Sequence, residues 1–532
     1  MERVELLDTT LRDGAQCEGV SFSVRDKIEV ARALAELGVD LIEAGNPGSN
    51  PKDMEFFERA RGLELGPSRL AAFGPTRRKL AAAGEDEGLR SLLAAGTGTV
   101  VVFGKSSPLH VIEVLGTSLA ENLAMIEESV AFLRSRGRRV VYDAEHYFDA
   151  CAADEAYALE TLRAAARGGA EVLVLCDTNG GSLPGTVSAI AARALAAVGA
   201  PIGIHAHDDS GLALANTLAA VGAGAVHAQG TLIGLGERCG NANLAVAACC
   251  LELKLGRPCL AEGALPRLYG AVRRVAEIAN VGLHEGMPFV GRRAFAHKAG
   301  MHVDAVAKLP ASFEHVAPEL VGNERRFLAS EVGGRTTLVD RMRAIEPGAT
   351  KDSPSVARAL ARLKAMEAEG YQYEGAEASL ELLLRDSAGE RARHFELDHY
   401  RTIGEEPSKE GGGKARARAM VKVLVGGAEE IGAAEGVGPV HALDLALRKA
   451  LKPFFPAVEE VRLVDYKVRV IDSADATAAK VRVLIESADS REAWTTVGVS
   501  SDVIEASRIA LAESIEYKLQ KDGVAAEAAS RE

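Results

Sequence analysis

The stretch "LLDTTLRDGAQ" at residues 6–16 joins an apolar run to a group of charged side chains. The apolar run ends at Asp8, and Arg12 and Asp13 follow four residues later. A buried strand gains nothing from unpaired charges, because burying a charge costs free energy unless a partner compensates it. A barrel strand whose carboxyl end faces an active site often ends in this way. The stretch therefore predicts a barrel strand that leads into a catalytic site.

Apolar runs of this kind alternate with helical stretches through the first half of the chain. The predicted strands are "RVELLD" (3–8), "VDLIEAG" (39–45), "RLAAFG" (69–74), "TVVVFG" (99–104), "RRVVYDAE" (138–145), "EVLVLCDT" (171–178), "PIGIHAHDD" (201–209) and "AVHAQGTL" (225–232). Strands that alternate with helices predict a parallel sheet. Eight such units in about 250 residues favour a (β/α)8 TIM barrel, with a doubly wound open sheet as the alternative.

The first helix is predicted over residues 23–38. Ser23 and Asp26 have the spacing of a capping box at its start. Apolar residues at helical spacing, among them Ile28 and Leu34, form one face that can pack against the barrel.

The bulk composition excludes several classes of protein. The chain has 532 residues and a net charge of −13, which argues against wholesale binding of nucleic acid or of anionic membranes. The seven cysteines form no paired framework and fit a reducing cytosol. The start "MERVELLDTT" lacks the features of a signal peptide, and no apolar run reaches the ~18 residues of a membrane span. We therefore expect a cytoplasmic enzyme.

A metal site is predicted at the end of the seventh strand. His205 and His207 in "HAHDD" are two residues apart, so their side chains point to the same face of a strand. Barrel closure brings Asp13 and Asn241 of "GERCGNANL" to the two flanks of these histidines. Such a mixed nitrogen and oxygen set suits Mn²⁺, Mg²⁺ or Zn²⁺ with open positions for substrate. The alternative is a pair of hydrogen-bonded barrel histidines.

The remainder of the chain predicts two further regions. We place the barrel at residues 1–258, a helical linker and lid region at 259–370, and a C-terminal α+β domain at 371–525. In the last region, strands followed by a helix occur twice, which indicates a pseudo-symmetric arrangement of sheets and helices.

Several motifs together resemble those of the metal-dependent Claisen-condensing barrel enzymes. That family includes the isopropylmalate, homocitrate and citramalate synthases, with hydroxymethylglutaryl-CoA lyase as a cousin. Three stretches of this chain, "LLDTTLRDGAQ", "HAHDD" and "GERCGNANL", resemble the three signature motifs of that family. The resemblance to the long bacterial citramalate synthase type extends over nearly the whole chain, through "FGKSSPLHV", "YDAEHYFDA", "LCDTNGG", "FAHKAGMHVDAV" and "ELVGNERR".

The resemblance implies a role for each matched residue. Asp13, His205 and His207 would bind the metal, and Asn241 would complete or flank the site. Arg12 would hold the ketone oxygen of a keto acid, and Thr178 would bind its carboxylate. Glu145 and His302 would handle the methyl proton of acetyl-CoA, the co-substrate. Glu43 would orient Arg12 or a substrate group.

The implied reaction is the condensation of acetyl-CoA with pyruvate to (R)-citramalate and CoA, in isoleucine biosynthesis. The nearest alternative is isopropylmalate synthesis from 2-oxoisovalerate, and a lyase or a non-catalytic amino-acid sensor are more distant alternatives. The resemblance also implies that the C-terminal domain binds isoleucine as an allosteric effector in a homodimer, against a dimerisation-only alternative. Asp208 departs from the family, which usually has Asn at this position.

Overall fold

The computed structural model describes residues 3–298, 300–327, 334–405, 416–471, 479–489 and 492–524. The chain divides into two compact units. The first comprises the residues up to Phe295 together with Glu314–Arg325, and the second comprises Ala296–Phe313 and the chain from Arg326 onward. Each unit is described by itself.

The first unit contains a closed barrel of eight parallel strands, which confirms the predicted fold. The strands are β1 (Glu5–Asp8), β2 (Leu41–Glu43), β3 (Arg69–Pro75), β4 (Thr99–Lys105), β5 (Arg139–Glu145), β6 (Val172–Asp177), β7 (Ile202–Ala206) and β8 (His227–Gly230). They follow one another around the barrel in chain order, and β8 closes it against β1, with Leu7 opposite Gln229. The open-sheet alternative is therefore wrong.

Helices surround this barrel. They are α1 (Val24–Leu37), α2 (Pro51–Ala60), α3 (Glu87–Ala94), α4 (Leu119–Ser135), α5 (Tyr147–Gly168), α6 (Pro184–Val198), α7 (Ala213–Gly222), α8 (Leu244–Leu253) and α9 (Leu268–Ile278). The predicted capping box at the start of α1 is confirmed: Asp26 N donates to Ser23 Oγ at 3.2 Å, and Ser23 N donates to Asp26 Oδ2 at 2.8 Å. Such a cap satisfies amide groups that the first helical turn leaves unpaired.

The second unit begins with two short strands and four helices. These are β9 (Ala296–His297), α10 (Gly300–Lys308), β10 (Arg326–Phe327), α11 (Gly334–Arg343), α12 (Pro354–Ala368) and α13 (Glu377–Ala388). The twofold repeat that the sequence predicts comes next. Its elements are β11 (Glu396–Glu405), β12 (Arg416–Val425), β13 (Ala428–Gly436) and α14 (Pro439–Leu451), followed by β14 (Arg462–Val470), β15 (Val481–Ala488), β16 (Ala493–Ser500) and α15 (Val503–Asp522).

Each half of the repeat is an antiparallel three-stranded sheet with one helix after it. Buried residues of both sheets and both helices, including Val423, Leu447, Ile485 and Leu511, form a single core. The C-terminal region is therefore an α+β domain, as predicted. Within the described part of the chain, no helix has both the length and the apolar character needed to cross a membrane.

Asp8, at the end of β1, is a buried carboxylate outside the predicted metal set. Its Oδ1 accepts a hydrogen bond from Thr10 N at 2.8 Å, while Oδ2 has no hydrogen-bond donor among the described residues. Burial raises the pKa of Asp8 to about 7, although its hydrogen bonds with Thr10 oppose the shift. Its proton is therefore held more tightly in the folded chain than in the unfolded one.

This difference predicts that stability falls as the pH rises. Below the ordinary pKa of an aspartate both states are protonated, and between that value and about 7 only the folded state keeps the proton. We expect Asp8 to cost about 3 kcal/mol of stability between about pH 5 and pH 8. Thermal midpoints of wild type and Asp8→Asn at both pH values measure this, and the variant should show the smaller decrease. Asp26→Asn is the control, because hydrogen bonds from Ser23 lower the pKa of that carboxylate. Equal slopes for wild type and Asp8→Asn would contradict the prediction.

Candidate active site

A polar cavity opens at the carboxyl ends of the barrel strands. Its volume is about 240 Å³, and it is lined by Arg12, Asp13, Gln16, Phe73, Phe103, Asp143, Glu145, Cys176, Thr178, His205, His207, Glu237 and Arg238. Six of these residues are among the predicted site residues. Two more, Glu43 and Asn241, lie directly behind the lining and are hydrogen-bonded to Arg12 and Asp13, respectively.

The four predicted metal ligands form one buried cluster. Asp13 Oδ2 lies 3.4 Å from His205 Nε2 and 3.9 Å from His207 Nε2, and the two Nε2 atoms are 3.4 Å apart. Asn241 Nδ2 donates to Asp13 Oδ2 at 2.9 Å. The buried Asn241 Oδ1 has no hydrogen-bond donor among the described residues. Asp13, His205 and His207 fit a divalent cation, because two imidazole nitrogens face a carboxylate, while Asn241 turns its amide nitrogen toward that carboxylate.

The fold explains why these residues meet. β7 pairs with β8 and β8 pairs with β1, so residues from both ends of the barrel sequence become neighbours. His205 lies on β7, and His207, two residues later, forms an isolated bridge with Asn241. Asp13 lies in the turn after β1, where its amide N–H donates to the carbonyl oxygen of Thr9 at 2.9 Å.

The ionisation of the cluster is strongly perturbed. Burial by itself raises the pKa of Asp13, but the Arg12 guanidinium and the His205 imidazole outweigh it and hold that pKa well below its usual range. Burial and the neighbouring His205 lower the pKa of His207 to about 4. Asp13 is therefore a carboxylate and His207 a neutral imidazole at neutral pH, which are the forms that bind metal ions.

Arg12 is held rigidly beside this cluster. Its Nε donates to Glu43 Oε2 at 2.6 Å, and its Nη1 lies 3.2 Å from Asp13 Oδ2. The guanidinium carbon lies 3.9 Å from the ring centroid of Phe73. The hydroxyl of Thr9 donates to the same Glu43 oxygen at 2.6 Å. Although burial lowers the pKa of Arg12, the two carboxylates outweigh it and keep the guanidinium charged.

Glu145 and Thr178 occupy the cavity wall at the ends of β5 and β6. Glu145 forms an ion pair with Lys105 from the end of β4. Thr178 Oγ1 accepts a hydrogen bond from His146 N at 2.8 Å, which leaves the hydroxyl proton available to an anionic ligand. His146 has the left-handed φ of 59° at this turn. The side chains of Glu145 and Thr178 line the same cavity as Arg12.

The structure also identifies site residues that sequence reasoning missed. Asp143 lines the cavity two residues before Glu145, and Gln229 lies behind His205 on β8. Burial and the nearby Glu43 carboxylate raise the pKa of Asp143 to about 6. The sequence did contain a signal for Asp143. It lies two residues before Glu145 on β5, so both side chains point to the same, inward face of the strand.

Asp208 and His302 each make other contacts. Asp208 caps a helix, since Ala213 N at the start of α7 donates to Asp208 Oδ1 at 2.8 Å. The Asn that the family usually has at this position could accept the same hydrogen bond through its side-chain oxygen. His302 belongs to α10 in the second unit, where its ring stacks on Phe313 with centroids 4.1 Å apart. The catalytic role of His302 stays a prediction.

Gly240 controls the loop that carries Asn241, and its replacement is predicted to weaken metal binding. It has a φ of 96°, and a Cβ atom there would lie 2.1 Å from the carbonyl oxygen of Gly234. Gly240→Ala must therefore shift the loop. We expect a Mn²⁺ affinity at least tenfold lower, measured by titration of metal-free protein against a chromophoric chelator. Gly181→Ala is the control, because no atom lies within 4 Å of a Cβ added there. Wild-type affinity of Gly240→Ala would contradict the prediction.

Comparisons with known proteins agree with this architecture. Residues 3–268 match the HMGL-like family model, residues 289–371 the homocitrate synthase post-HMGL domain-like model, and residues 374–519 the LeuA allosteric (dimerisation) domain model. The (R)-citramalate synthase of Synechocystis sp. is 48% identical, with 97% of this chain and 96% of that protein covered. The (R)-citramalate synthase of Aquifex aeolicus is 47% identical, with 98% of both chains covered.

A relative named as a different synthase is less similar to this chain. The probable 2-isopropylmalate synthase of Methanopyrus kandleri is 32% identical, with 95% of this chain and 96% of that protein covered. The higher identities extend over both units described above. The chain therefore belongs to the HMGL-like enzymes and, within them, to the (R)-citramalate synthase family.

Proposed function

We propose that this enzyme condenses acetyl-CoA with pyruvate to form (R)-citramalate and free CoA. The observation that carries the proposal is the identity of 48% to an (R)-citramalate synthase over nearly the whole of both chains. The cavity supports it, because it combines the three groups that such a condensation needs: a cation-binding cluster, a fixed positive charge and a carboxylate base. We place the reaction in isoleucine biosynthesis, in the cytoplasm.

The keto acid is proposed to bind between Arg12 and Thr178. The Thr178 hydroxyl donates to the substrate carboxylate, and the Arg12 guanidinium faces the ketone oxygen. As the new C–C bond forms, negative charge develops on that oxygen. Arg12 stabilises this charge without reorganising, since Glu43 and Asp13 already fix its position.

Asp13, His205 and His207, with Asn241 beside them, are proposed to hold the divalent metal, and Mn²⁺ or Mg²⁺ suits the oxygen-bearing substrate better than Zn²⁺ does. When bound, this ion supplies Lewis acidity that polarises the keto group. The protein's part is to keep the four ligand side chains buried and oriented. We therefore expect the reaction to stop when a chelator removes the metal.

Glu145 is proposed to take a proton from the methyl group of acetyl-CoA, with His302 as its partner in the acid–base step. The methyl carbon then attacks the keto carbon of pyruvate, and its electron pair becomes the new C–C bond. The π pair of the keto C=O bond moves to its oxygen, which then takes up the proton that Glu145 removed. Water hydrolyses the thioester and releases CoA, which drives the reaction forward. Lys105 forms an ion pair with Glu145 and so places a positive charge beside this carboxylate.

The C-terminal domain is proposed to bind isoleucine and to join two chains in a homodimer. The match of residues 374–519 to an allosteric dimerisation domain supports this assignment. The end product would then reduce activity by binding to this domain. The test compares activity with isoleucine and with the same concentration of glutamate. We expect inhibition by isoleucine only. Equal activity with and without isoleucine would indicate that the domain serves dimerisation alone.

Release of free CoA from acetyl-CoA tests the proposed reaction. The assay compares pyruvate, 2-oxoisovalerate and 2-oxoglutarate, each with Mn²⁺ or Mg²⁺ and with or without EDTA. Pyruvate-dependent release that EDTA abolishes and added metal restores is the expected result. A preference for 2-oxoisovalerate would instead identify isopropylmalate synthesis. No release with any keto acid would overturn the condensing mechanism.

A further inference from the structure

A chain of buried polar side chains runs through the barrel interior behind His205. His205 Nδ1 lies 2.9 Å from Gln229 Oε1, and Gln229 Nε2 lies 2.9 Å from Asp143 Oδ1. Gln229 Nε2 also lies 3.4 Å from His227 Nε2, and His227 Nδ1 lies 2.8 Å from Glu5 Oε2. Gln229 and His227 are fully buried. Such a chain is costly in a barrel interior unless every member is paired.

The neighbours of Gln229 fix the orientation of its amide. The Asp143 carboxylate only accepts hydrogen bonds when ionised. His227 donates from Nδ1 to the Glu5 carboxylate, so its Nε2 carries the lone pair when the ring is neutral. Both groups that face Gln229 Nε2 are thus acceptors. The opposite amide orientation would place the Gln229 oxygen against a carboxylate oxygen, which is repulsive.

The fixed amide then determines the tautomer of His205. Gln229 Oε1 can only accept, so His205 Nδ1 must carry the hydrogen. The lone pair of the neutral ring is therefore on Nε2. That nitrogen is the one that faces Asp13 Oδ2 and His207 Nε2 in the candidate metal cluster.

We propose that Gln229, held by Asp143 and His227, is a positioning residue that fixes His205 as the Nδ1–H tautomer with its Nε2 lone pair directed at a divalent cation. This inference rests on the proposed metal site and adds residues to it from β5 and β8. Gln229 touches neither substrate nor metal. It acts by removing the free-energy cost of reorienting His205 when the ion binds.

Metal affinity provides the first test. Metal-free Gln229→Leu is titrated with Mn²⁺ against a chromophoric chelator, beside wild type and Asn216→Leu. Asn216 is a matched control, because it is an equally buried amide that donates to the carbonyl oxygen of Ser182 at 2.8 Å and lies on α7. We expect about 10–100-fold weaker binding for Gln229→Leu and wild-type binding for Asn216→Leu. Wild-type affinity in a folded Gln229→Leu protein would overturn the inference.

The tautomer provides a second test that a merely structural role would not satisfy. Protonated and unprotonated ring nitrogens differ in ¹⁵N chemical shift, so metal-free protein with ¹⁵N-labelled histidine reports the tautomer at alkaline pH. The spectrum of His205→Gln assigns the signal. The wild type is expected to show His205 protonated at Nδ1. Protonation at Nε2 would overturn the inference, even if Gln229→Leu failed to fold.

A double substitution tests the hydrogen-bond logic itself. In Asp143→Asn/Gln229→Glu, the introduced carboxamide donates to the introduced carboxylate, which still accepts from His205 Nδ1. The second oxygen of this carboxylate faces His227 Nε2, which takes up a proton and donates to it, while Nδ1 still donates to Glu5. We expect this variant to keep the Nδ1–H tautomer and to bind Mn²⁺ more tightly than Gln229→Leu. Binding no tighter than that of Gln229→Leu would overturn the inference. A wild-type protein that binds no Mn²⁺ would overturn the proposed metal site, while the ¹⁵N spectrum would still decide the tautomer.

Discussion

Arg12→Gln is expected to lower kcat for citramalate formation by about 10³-fold, with a smaller change in the KM for pyruvate. The reason is that the guanidinium provides a fixed positive charge where the ketone oxygen becomes negative. The glutamine amide can still donate a hydrogen bond, but it carries no charge. It also leaves the carboxylates of Asp13 and Glu43 without the cation that now lies between them. Steady-state rates of CoA release, with metal in excess, measure the effect.

Two further variants sharpen this prediction. Arg12→Lys keeps the charge but cannot reproduce the guanidinium contacts to both carboxylates, so an intermediate loss is expected. Arg25→Gln, on the exposed side of α1, is the control and should retain wild-type kinetics. Circular dichroism establishes that each variant is folded. An Arg12→Gln enzyme with wild-type kcat would show that Arg12 does not act on the developing charge.

Glu145→Gln is expected to lower kcat by about 10²–10⁴-fold, the range typical of losing a general base. Glutamine has nearly the same shape but cannot accept the methyl proton of acetyl-CoA. Substrate binding depends on other side chains, so the KM for pyruvate should change little. The cleanest measurement is the exchange of acetyl-CoA methyl protons with deuterated solvent in the presence of pyruvate, because it reports the proton step directly.

The control for this variant is Glu113→Gln. Glu113 is an exposed carboxylate in the short helical segment His110–Val114 after β4. Its substitution should leave both kcat and proton exchange unchanged. If Glu145→Gln exchanged protons as fast as wild type while losing CoA release, Glu145 would serve the later hydrolysis and not the removal of the proton.

Much of the barrel could be predicted because its signals are local. The strands are short apolar runs separated by helical periodicity, and eight repeats are enough to indicate closure. The candidate metal cluster was predictable for a related reason. Asp13 and Asn241 follow strands, His205 lies near the end of β7, and the carboxyl ends of parallel strands meet at one mouth. Their closeness is a consequence of topology, while their catalytic roles stay predictions.

The interior polar chain could not be predicted from the same signals. His227 and Gln229 lie on a strand in which alternation alone does not show which residues face the barrel axis. Their partners Glu5 and Asp143 are more than 80 residues away in sequence, and only the strand register brings them together. Similarly, the ion pair of Lys105 with Glu145 depends on the pairing of β4 with β5.

The contact between Asp13 and Asn241 joins residues 228 positions apart, across the seam where β8 pairs with β1. A growing or refolding chain can form the intermediate strand pairs one after another, but this pair forms only when the ring is complete. The entropy lost in closing so long a loop increases only slowly with its length, by about 0.6 kcal/mol for each doubling. The full ligand set therefore requires the closed barrel, and an incomplete barrel lacks it. A divalent cation bound at the proposed site would therefore also stabilise the pairing of β8 with β1, because its binding free energy would be added only to the closed barrel.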